Sequence, residues 1–370
     1  MPPVHYRLKN FPPRDIEWSR LIPLLGPTAA AVARYDGMLA AVPNPAVLLA
    51  PLTTQEAVLS SKIEGTQATM GEVLEFEAGG EPESATLRED IHEVLQYRAA
   101  MREAERLLGE LPFSLRVLRG AHAVLLDGVR GQSKSPGEFR RGQAWIGPPD
   151  CSIEQAKYVA AEPDQLAEFM AAWERYANDK AADQLVQTAV LHAEFEAVHP
   201  FADGNGRLGR LLIPLFLAHV GIIRRPMFYV SAYLEAHRAA YYDRLLAVSR
   251  DGDWTGWCEF FLEAIRSQAV DNLAKASAIL DLFEAMKRRL PELTRSQHAV
   301  LALDWIFERP IFSSVDFVEK AGIPEATARR FLRLFEAEGV LRAVAAGSGR
   351  RPTIFGFPAL LEIVEGRPLS

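Results

Sequence analysis

The chain has 370 residues, 49% of them hydrophobic and 24% charged, which excludes a mainly disordered, collagenous or fibrous polypeptide. Lys plus Arg number 41 against 48 for Asp plus Glu, a net charge of −7, so a non-specific coat on nucleic acid is disfavoured while a local basic patch stays open. The length points to two or three domains. Cys151 and Cys258 form neither a CxxC pair nor a disulfide framework, as expected of a reducing compartment. The start, Met1-Pro-Pro-Val-His-Tyr-Arg, has no apolar signal core. The longest nearly apolar run, Leu211 to Ile223, is broken by Pro214 and His219 and is shorter than the ~20 residues of a membrane span. We therefore expect a soluble, cytoplasmic protein with no membrane partner.

In chain order, a proline-rich stretch occupies residues 1–45, with one helix expected from Thr28 to Leu39. Thr53 to Leu59 reads as a helix capped by Thr53 or Thr54. Gly79-Gly80-Glu81-Pro82 is a loop. Leu87 to Leu108 and Ser114 to Leu126 carry apolar residues at helical spacing. Gly131 to Asp150 differs: its glycines, prolines and alternating bulky residues suggest a small β-hairpin that must lie against something. Helical pattern resumes from Glu162 to Asn178, Ala181 to Val198 and Gly206 to Val220, and Asp253 to Arg289 reads as one or two long helices. Trp254 and Trp257 read as core. After Leu290-Pro291, helices are expected at Thr294–Phe307, Ser313–Ala321 and Glu325–Glu338. Two strands with a glycine-rich tip follow, the plan of a winged helix-turn-helix.

The stretch richest in chemistry is His199-Pro-Phe-Ala-Asp-Gly-Asn-Gly-Arg-Leu-Gly-Arg210. Glycines at a loop-to-helix junction let backbone N–H groups close on an anion, and the helix N-terminus adds partial positive charge. Gly204, Asn205 and Gly206 stand at that junction. Arg207 and Arg210 are three apart and share a helix face, so two guanidinium groups beside an amide nest can grip a polyphosphate. Asp203 is a hard oxygen ligand suited to Mg2+ carried by phosphates. His199 titrates near neutrality and can take a proton from an attacking hydroxyl.

These twelve residues match the Fic motif, HxFx(D/E)GNGRxxR, at every specified position, and the chain resembles Fic proteins from about Pro45 to Ala285. The resemblance implies a mainly α Fic-type helical bundle with a small β-hairpin flap. It also implies transfer of AMP from ATP to a hydroxyl side chain of a target protein. His199 would be the general base and Asp203 the Mg2+ ligand. Gly204, Asn205 and Gly206 would form the anion cradle, Arg207 and Arg210 would hold the β and γ phosphates, and Phe201 would be a packing anchor. Self-modification and homodimerisation are further expectations. The resulting division is an N-terminal helical region over 1–110 with an inhibitory helix at about 53–65, a catalytic domain over 111–289, and the winged helix-turn-helix domain over 290–370.

Residues Ser60 to Gly65 read from sequence as a helix end with a glycine stop. They also resemble the family's inhibitory motif, (S/T)xxxE(G/N). The resemblance implies that Glu64 pairs with Arg210 and competes with the γ-phosphate, while Ser60 anchors the helix. Gly137 to Pro148 resembles the Fic flap, thought to pair with target backbone by strand addition; Ile146 and Gly147 are assigned to the docking strand. Of the pair Tyr241-Tyr242, resemblance places Tyr242 in the adenine pocket.

In the C-terminal domain, Arg329, Arg330 and Arg333 fall on the expected recognition helix, and Arg350 and Arg351 at the wing tip. Glu319, Glu325, Glu336 and Glu338 offset them, so DNA binding and protein or dimer contact both stay open. Two other functional readings stand beside AMP transfer: removal of AMP from a modified protein, with Glu64 orienting a water, and a DNA-binding regulator with a nucleotide-sensing Fic domain.

Overall fold

The computed structural model describes residues 2–7, 10–42, 44–148, 150–347 and 351–366. In chain order the elements are β1 (Val4–His5), α1 (Trp18–Ala41), α2 (Pro45–Leu48), α3 (Ala50–Ile63), α4 (Met70–Glu77), α5 (Ala85–Leu108), α6 (Leu115–Leu125), β2 (Trp145–Ile146) and β3 (Tyr158–Val159). Then come α7 (Leu166–Asn178), α8 (Gln184–Val198), α9 (Asn205–His219), α10 (Ser231–Ala236), α11 (Arg238–Asp251) and α12 (Trp254–Thr294). The last elements are α13 (Ala299–Glu308), β4 (Ile311–Ser313), α14 (Ser314–Lys320), α15 (Glu325–Ala337), β5 (Arg342–Ala345), β6 (Ile354–Gly356) and α16 (Pro358–Glu365). The protein is mainly helical, as expected. No helix among the described residues is long and apolar enough to cross a membrane.

Several boundaries differ from the sequence reading, each for a physical reason. Helix α1 starts well before Thr28 and runs through Pro23 and Pro27. Leu21, Ala31, Val32, Tyr35 and Leu39 form a buried stripe along it, and that burial outweighs the lost N–H donors. Helix α12 likewise continues past Pro291 to Thr294. Thr53 and Thr54 do not cap α3. They lie inside it, and their hydroxyls donate back to the carbonyls of Leu49 and Ala50, the usual recourse of a mid-helix threonine.

The chain divides into two compact units. One comprises residues 1–36, 59–66 and 95–270. Its centre is α8, buried on almost every face, its polar Gln187, Thr188, His192 and Glu194 included, and packed against α9 and α7. Asp183 caps α8 through the amides of Leu185 and Val186. Trp254 and Trp257 are buried, and the Trp257 indole donates to the Ala189 carbonyl at 2.7 Å. A three-stranded sheet of order β1-β3-β2 lies in this unit.

That sheet corrects the expected hairpin. Residues 131–140 form turns rather than a strand, and the strand at 145–146 pairs antiparallel with 158–159, beyond Asp150. Pro148 has no N–H to extend a ladder, and a helical turn at Ile153–Gln155 lengthens the connection. The Trp145 indole ties the connection down by donating to the Cys151 carbonyl at 3.0 Å.

The other unit comprises residues 37–58, 67–94 and 271–370. Its antiparallel sheet has the order β4-β6-β5. The succession α13, β4, α14, α15, β5, β6 is consistent with a winged helix-turn-helix, and Phe307, Phe312, Phe317, Phe331 and Phe335 fill its core. Helix α4 packs against β4. Three of the arginines expected to read DNA have other engagements, while Arg333 is exposed on α15. Arg329 pairs with Glu325 at 2.9 Å, Arg330 donates to the Thr294 carbonyl and lies over the Phe331 ring, and Arg351 pairs with Glu81 at 2.9 Å. Arg350 lies outside the described residues.

Candidate active site

The site is built where α8 hands over to α9. His199 ends α8 in the left-handed region, φ 52°, a conformation that turns the chain sharply and costs a non-glycine residue energy. Arg140, almost fully buried, stabilises the turn. Its backbone N–H donates to Pro200, and its guanidinium donates to the carbonyls of His199 (2.8 Å), Val198 and Ala161. Phe201 is fully buried, as expected of a packing anchor.

Asn205 closes the loop from within. Its Oδ1 accepts from Phe201 N–H and its Nδ2 donates to Phe201 O, both at 2.9 Å. Its side chain is therefore spent on the loop, and it is the backbone at Gly204, Asn205 and Gly206 that opens the N-terminus of α9. Gly204 holds φ 76°, where a side chain would strain the turn. Asp203 Oδ1 accepts from Gly204 N–H at 2.5 Å and lies 3.4 Å from Arg207.

A histidine from α6, invisible to motif reading, completes the support. His122 is fully buried and stacks on Phe201, ring centroids 3.7 Å apart. Its Nδ1 accepts from Gly137 N–H at 2.8 Å, so Nε2 carries the proton and donates to the Asp203 carbonyl at 2.9 Å. Burial pushes its pKa down to about 4. In sequence it is one histidine on an amphipathic helix, with no local signal of its partner 81 residues away.

Arg210 lies one turn into α9 and is 1% exposed. Its Nε donates to Ser60 Oγ (2.9 Å), and its Nη2 donates to Ser60 O (2.8 Å) and Glu64 Oε1 (2.7 Å). Ser60 thus binds the guanidinium directly. Burial alone would lower the Arg210 pKa, and the Glu64 charge more than reverses that. For Glu64 burial pushes the carboxyl up, but Arg210, with Arg207 and His199 nearby, holds it below its ordinary value. Gly65, at φ 112°, ends the turn. The Glu64 carboxylate sits over Gly206, so that a Cβ there would overlap Oε1 and lie 2.9 Å from Cδ. A carboxylate at a helix N-terminus is a favourable placement for negative charge.

His199 Nδ1–H points to the Glu196 carbonyl at 3.4 Å, which leaves Nε2 as the acceptor nitrogen. Burial lowers its pKa to about 4, so at neutral pH the ring is uncharged. Glu196 carries a buried carboxyl oxygen without a hydrogen-bond partner and is pushed up to about 8 by burial. Tyr242 on α11 is exposed, with Arg238 over its ring. Burial, then the Glu64 charge, push its hydroxyl up to about 12. Its neighbour Tyr241 is buried and donates to His192 Nε2 (2.9 Å), while His192 Nδ1–H bonds Gly209 O (3.0 Å). Ile146 is exposed on β2, and Gly147 lies against Cys151 and Ala156, leaving no room for a Cβ.

Comparisons with known proteins place the chain in a family. The model described as Fic/DOC family N-terminal matches residues 22–106, and that described as Fic/DOC family matches 112–217, together more than half of the chain. A probable protein adenylyltransferase of Aquifex aeolicus is 29% identical over 151 residues, 36% of this chain and 47% of the relative. Protein adenylyltransferase Fic of Aedes aegypti is 32% identical over 130 residues, 34% of this chain and 23% of the relative. The matched region spans less than half the length of either relative. A crystal structure of a Fic family protein from Desulfovibrio desulfuricans G20 aligns with TM-score 0.60 and 20% identity, covering 94% of this chain and 98% of that one. Fic-1 from C. elegans aligns with TM-score 0.52 and 20% identity over 73% and 76% of the two chains. Motif, site geometry and family models converge: the chain belongs to the Fic/DOC family.

Proposed function

We propose that the protein transfers AMP from ATP to a Ser, Thr or Tyr hydroxyl of a target protein or of itself, and that Glu64 restrains it. The observation that carries this reading is the meeting of a neutral imidazole, an open helix N-terminus and two buried arginines within one turn of chain. Relatives named protein adenylyltransferase support it.

His199 Nε2 takes the proton of the acceptor hydroxyl, and the oxygen attacks the α-phosphorus of ATP. The bond from that phosphorus to the bridging oxygen breaks, AMP stays on the acceptor and pyrophosphate leaves. The α9 N-terminus, Arg207 and Arg210 hold the phosphate charge, which is positioning and electrostatic work. Tyr242 flanks the nucleotide. Asp203 suits Mg2+: its carboxylate is 41% exposed, and among the described residues no cluster of three or more His, Cys, Asp or Glu groups could hold a metal. A cation held by one carboxylate, with phosphate oxygens and water as its other ligands, fits the habit of Mg2+. When bound, it would neutralise phosphate charge.

While Glu64 lies on Arg210 and over Gly206, the γ-phosphate is denied that guanidinium. Incubation with α-labelled ATP tests both parts. Glu64→Gly is expected to label strongly, wild type weakly, and Glu64→Gly with His199→Ala not at all. Equal labelling of wild type and Glu64→Gly would overturn the restraint, and no labelling of Glu64→Gly would overturn the transfer.

A further inference from the structure

The flap strand β2 does not stand alone. Its partner β3 pairs on its other side with β1, in parallel register Val4↔Tyr158 and His5↔Val159. Val4 N–H donates to Lys157 O (3.0 Å) and Tyr6 N–H to Val159 O (2.9 Å). Two tyrosines then bolt this sheet to α8, the helix that ends in His199. Tyr6 OH donates to the buried Glu194 carboxyl at 2.6 Å, and Tyr158 OH donates to Ala197 O at 2.8 Å. The Tyr6 ring packs on Phe169, centroids 5.1 Å apart, and Val4 and Tyr6 pack against Tyr158, Ala160 and Ala197. Both anchors fall within the five residues before His199.

A bare β3 edge would be a second template for an incoming strand. β1 occupies it and is a poor template itself, preceded by Pro2 and Pro3, which lack N–H groups, and packed against α11. β2, with Trp145 and Ile146 42% and 43% exposed, keeps its outer edge open. We propose that β1 and Tyr6 are positioning elements for target docking: they direct an extended target segment to the β2 edge and fix the height of that edge over His199. This rests on the AMP-transfer reading above, with the target pairing by strand addition.

Two substitutions test it. Val4→Pro removes one inter-strand donor without touching the site, and Tyr6→Phe removes the bolt to Glu194. The first measurement is amide hydrogen exchange in the full chain, which needs no catalysis. Loss of one such hydrogen bond is expected to speed exchange at residues 157–160 about tenfold. The second is self-labelling in the Glu64→Gly background. Its rate at saturating ATP is expected to fall several-fold while the apparent KM for ATP moves by less than about twofold. Unchanged exchange in both variants overturns the bolt. Faster exchange with unchanged labelling, or a rise in KM for ATP that matches the fall in rate, reduces β1 to a structural strand and overturns its docking role. Absence of labelling in Glu64→Gly alone overturns the AMP-transfer reading and with it the docking role, while exchange still reports on the bolt.

Discussion

Glu64 and Gly206 compete for one volume. The carboxylate that bonds Arg210 at 2.7 Å also fills the space a Cβ on Gly206 would need. The same space, at the N-terminus of α9, is where the proposed function requires an anion to meet the backbone amides.

Gly206→Ala therefore should not mimic Glu64→Gly. Its methyl group displaces Glu64 but also crowds the cradle. In the Glu64→Gly background it is expected to weaken ATP binding about tenfold, or about 1.4 kcal/mol, by calorimetry. Strong self-labelling by Gly206→Ala alone would refute the cradle.

His122→Phe keeps a ring on Phe201 but strips partners from the Gly137 amide and the Asp203 carbonyl. With each of the two buried orphans costing about 1–3 kcal/mol, a loss of about 2–6 kcal/mol is expected. Thermal unfolding reads it, and an unchanged midpoint would contradict the bridging role.

Asn205→Asp turns a donor into an acceptor 2.9 Å from the Phe201 carbonyl. The expected loss is about 2 kcal/mol or more, together with reduced labelling in the Glu64→Gly background. Chemical denaturation with an unaltered midpoint would show that the amide pair does not hold the loop.

The Glu194 carboxyl is raised to about 7 by burial, partly offset by the Tyr6 hydrogen bond. The folded chain then holds a proton that the unfolded chain, with an ordinary carboxyl, releases. Stability tied to this group is full below about 4.5 and is lost as pH rises towards 7. Glu194→Gln stays neutral and still accepts from Tyr6. Its stability relative to wild type should grow by about 1.4 kcal/mol per pH unit across that window and then level off. Denaturant titrations at pH 4, 6 and 8 measure the difference, and a constant offset would disprove the linkage.

How much was legible depended on distance along the chain. His199, Asp203, the glycines and the arginines lie within twelve residues, and one loop and one helix turn suffice to bring them together. Glu64 stands 146 residues from Arg210 and was readable as a partner only through family resemblance. Sequence assigned Asn205 to the anion cradle as a whole, while the structure gives its side chain to Phe201. The sequence places a strand near Trp145-Ile146, but its partner lies past the loop expected to close the hairpin. The prolines in α1 and α12 were read as boundaries because local rules cannot weigh the burial that overrides them.

By itself the sequence determined the helical class and the glycine-rich turn that sets His199, Arg207 and Arg210 at the start of one helix, because these follow from short-range geometry and residue chemistry. Only the tertiary structure decided which ring nitrogen of each buried histidine carries the proton, which carboxyls burial pushes up, and that Tyr6 and His122 brace the site from 188 and 81 residues away. Those outcomes depend on desolvation and on hydrogen bonds between distant segments, which exist only once the chain has packed.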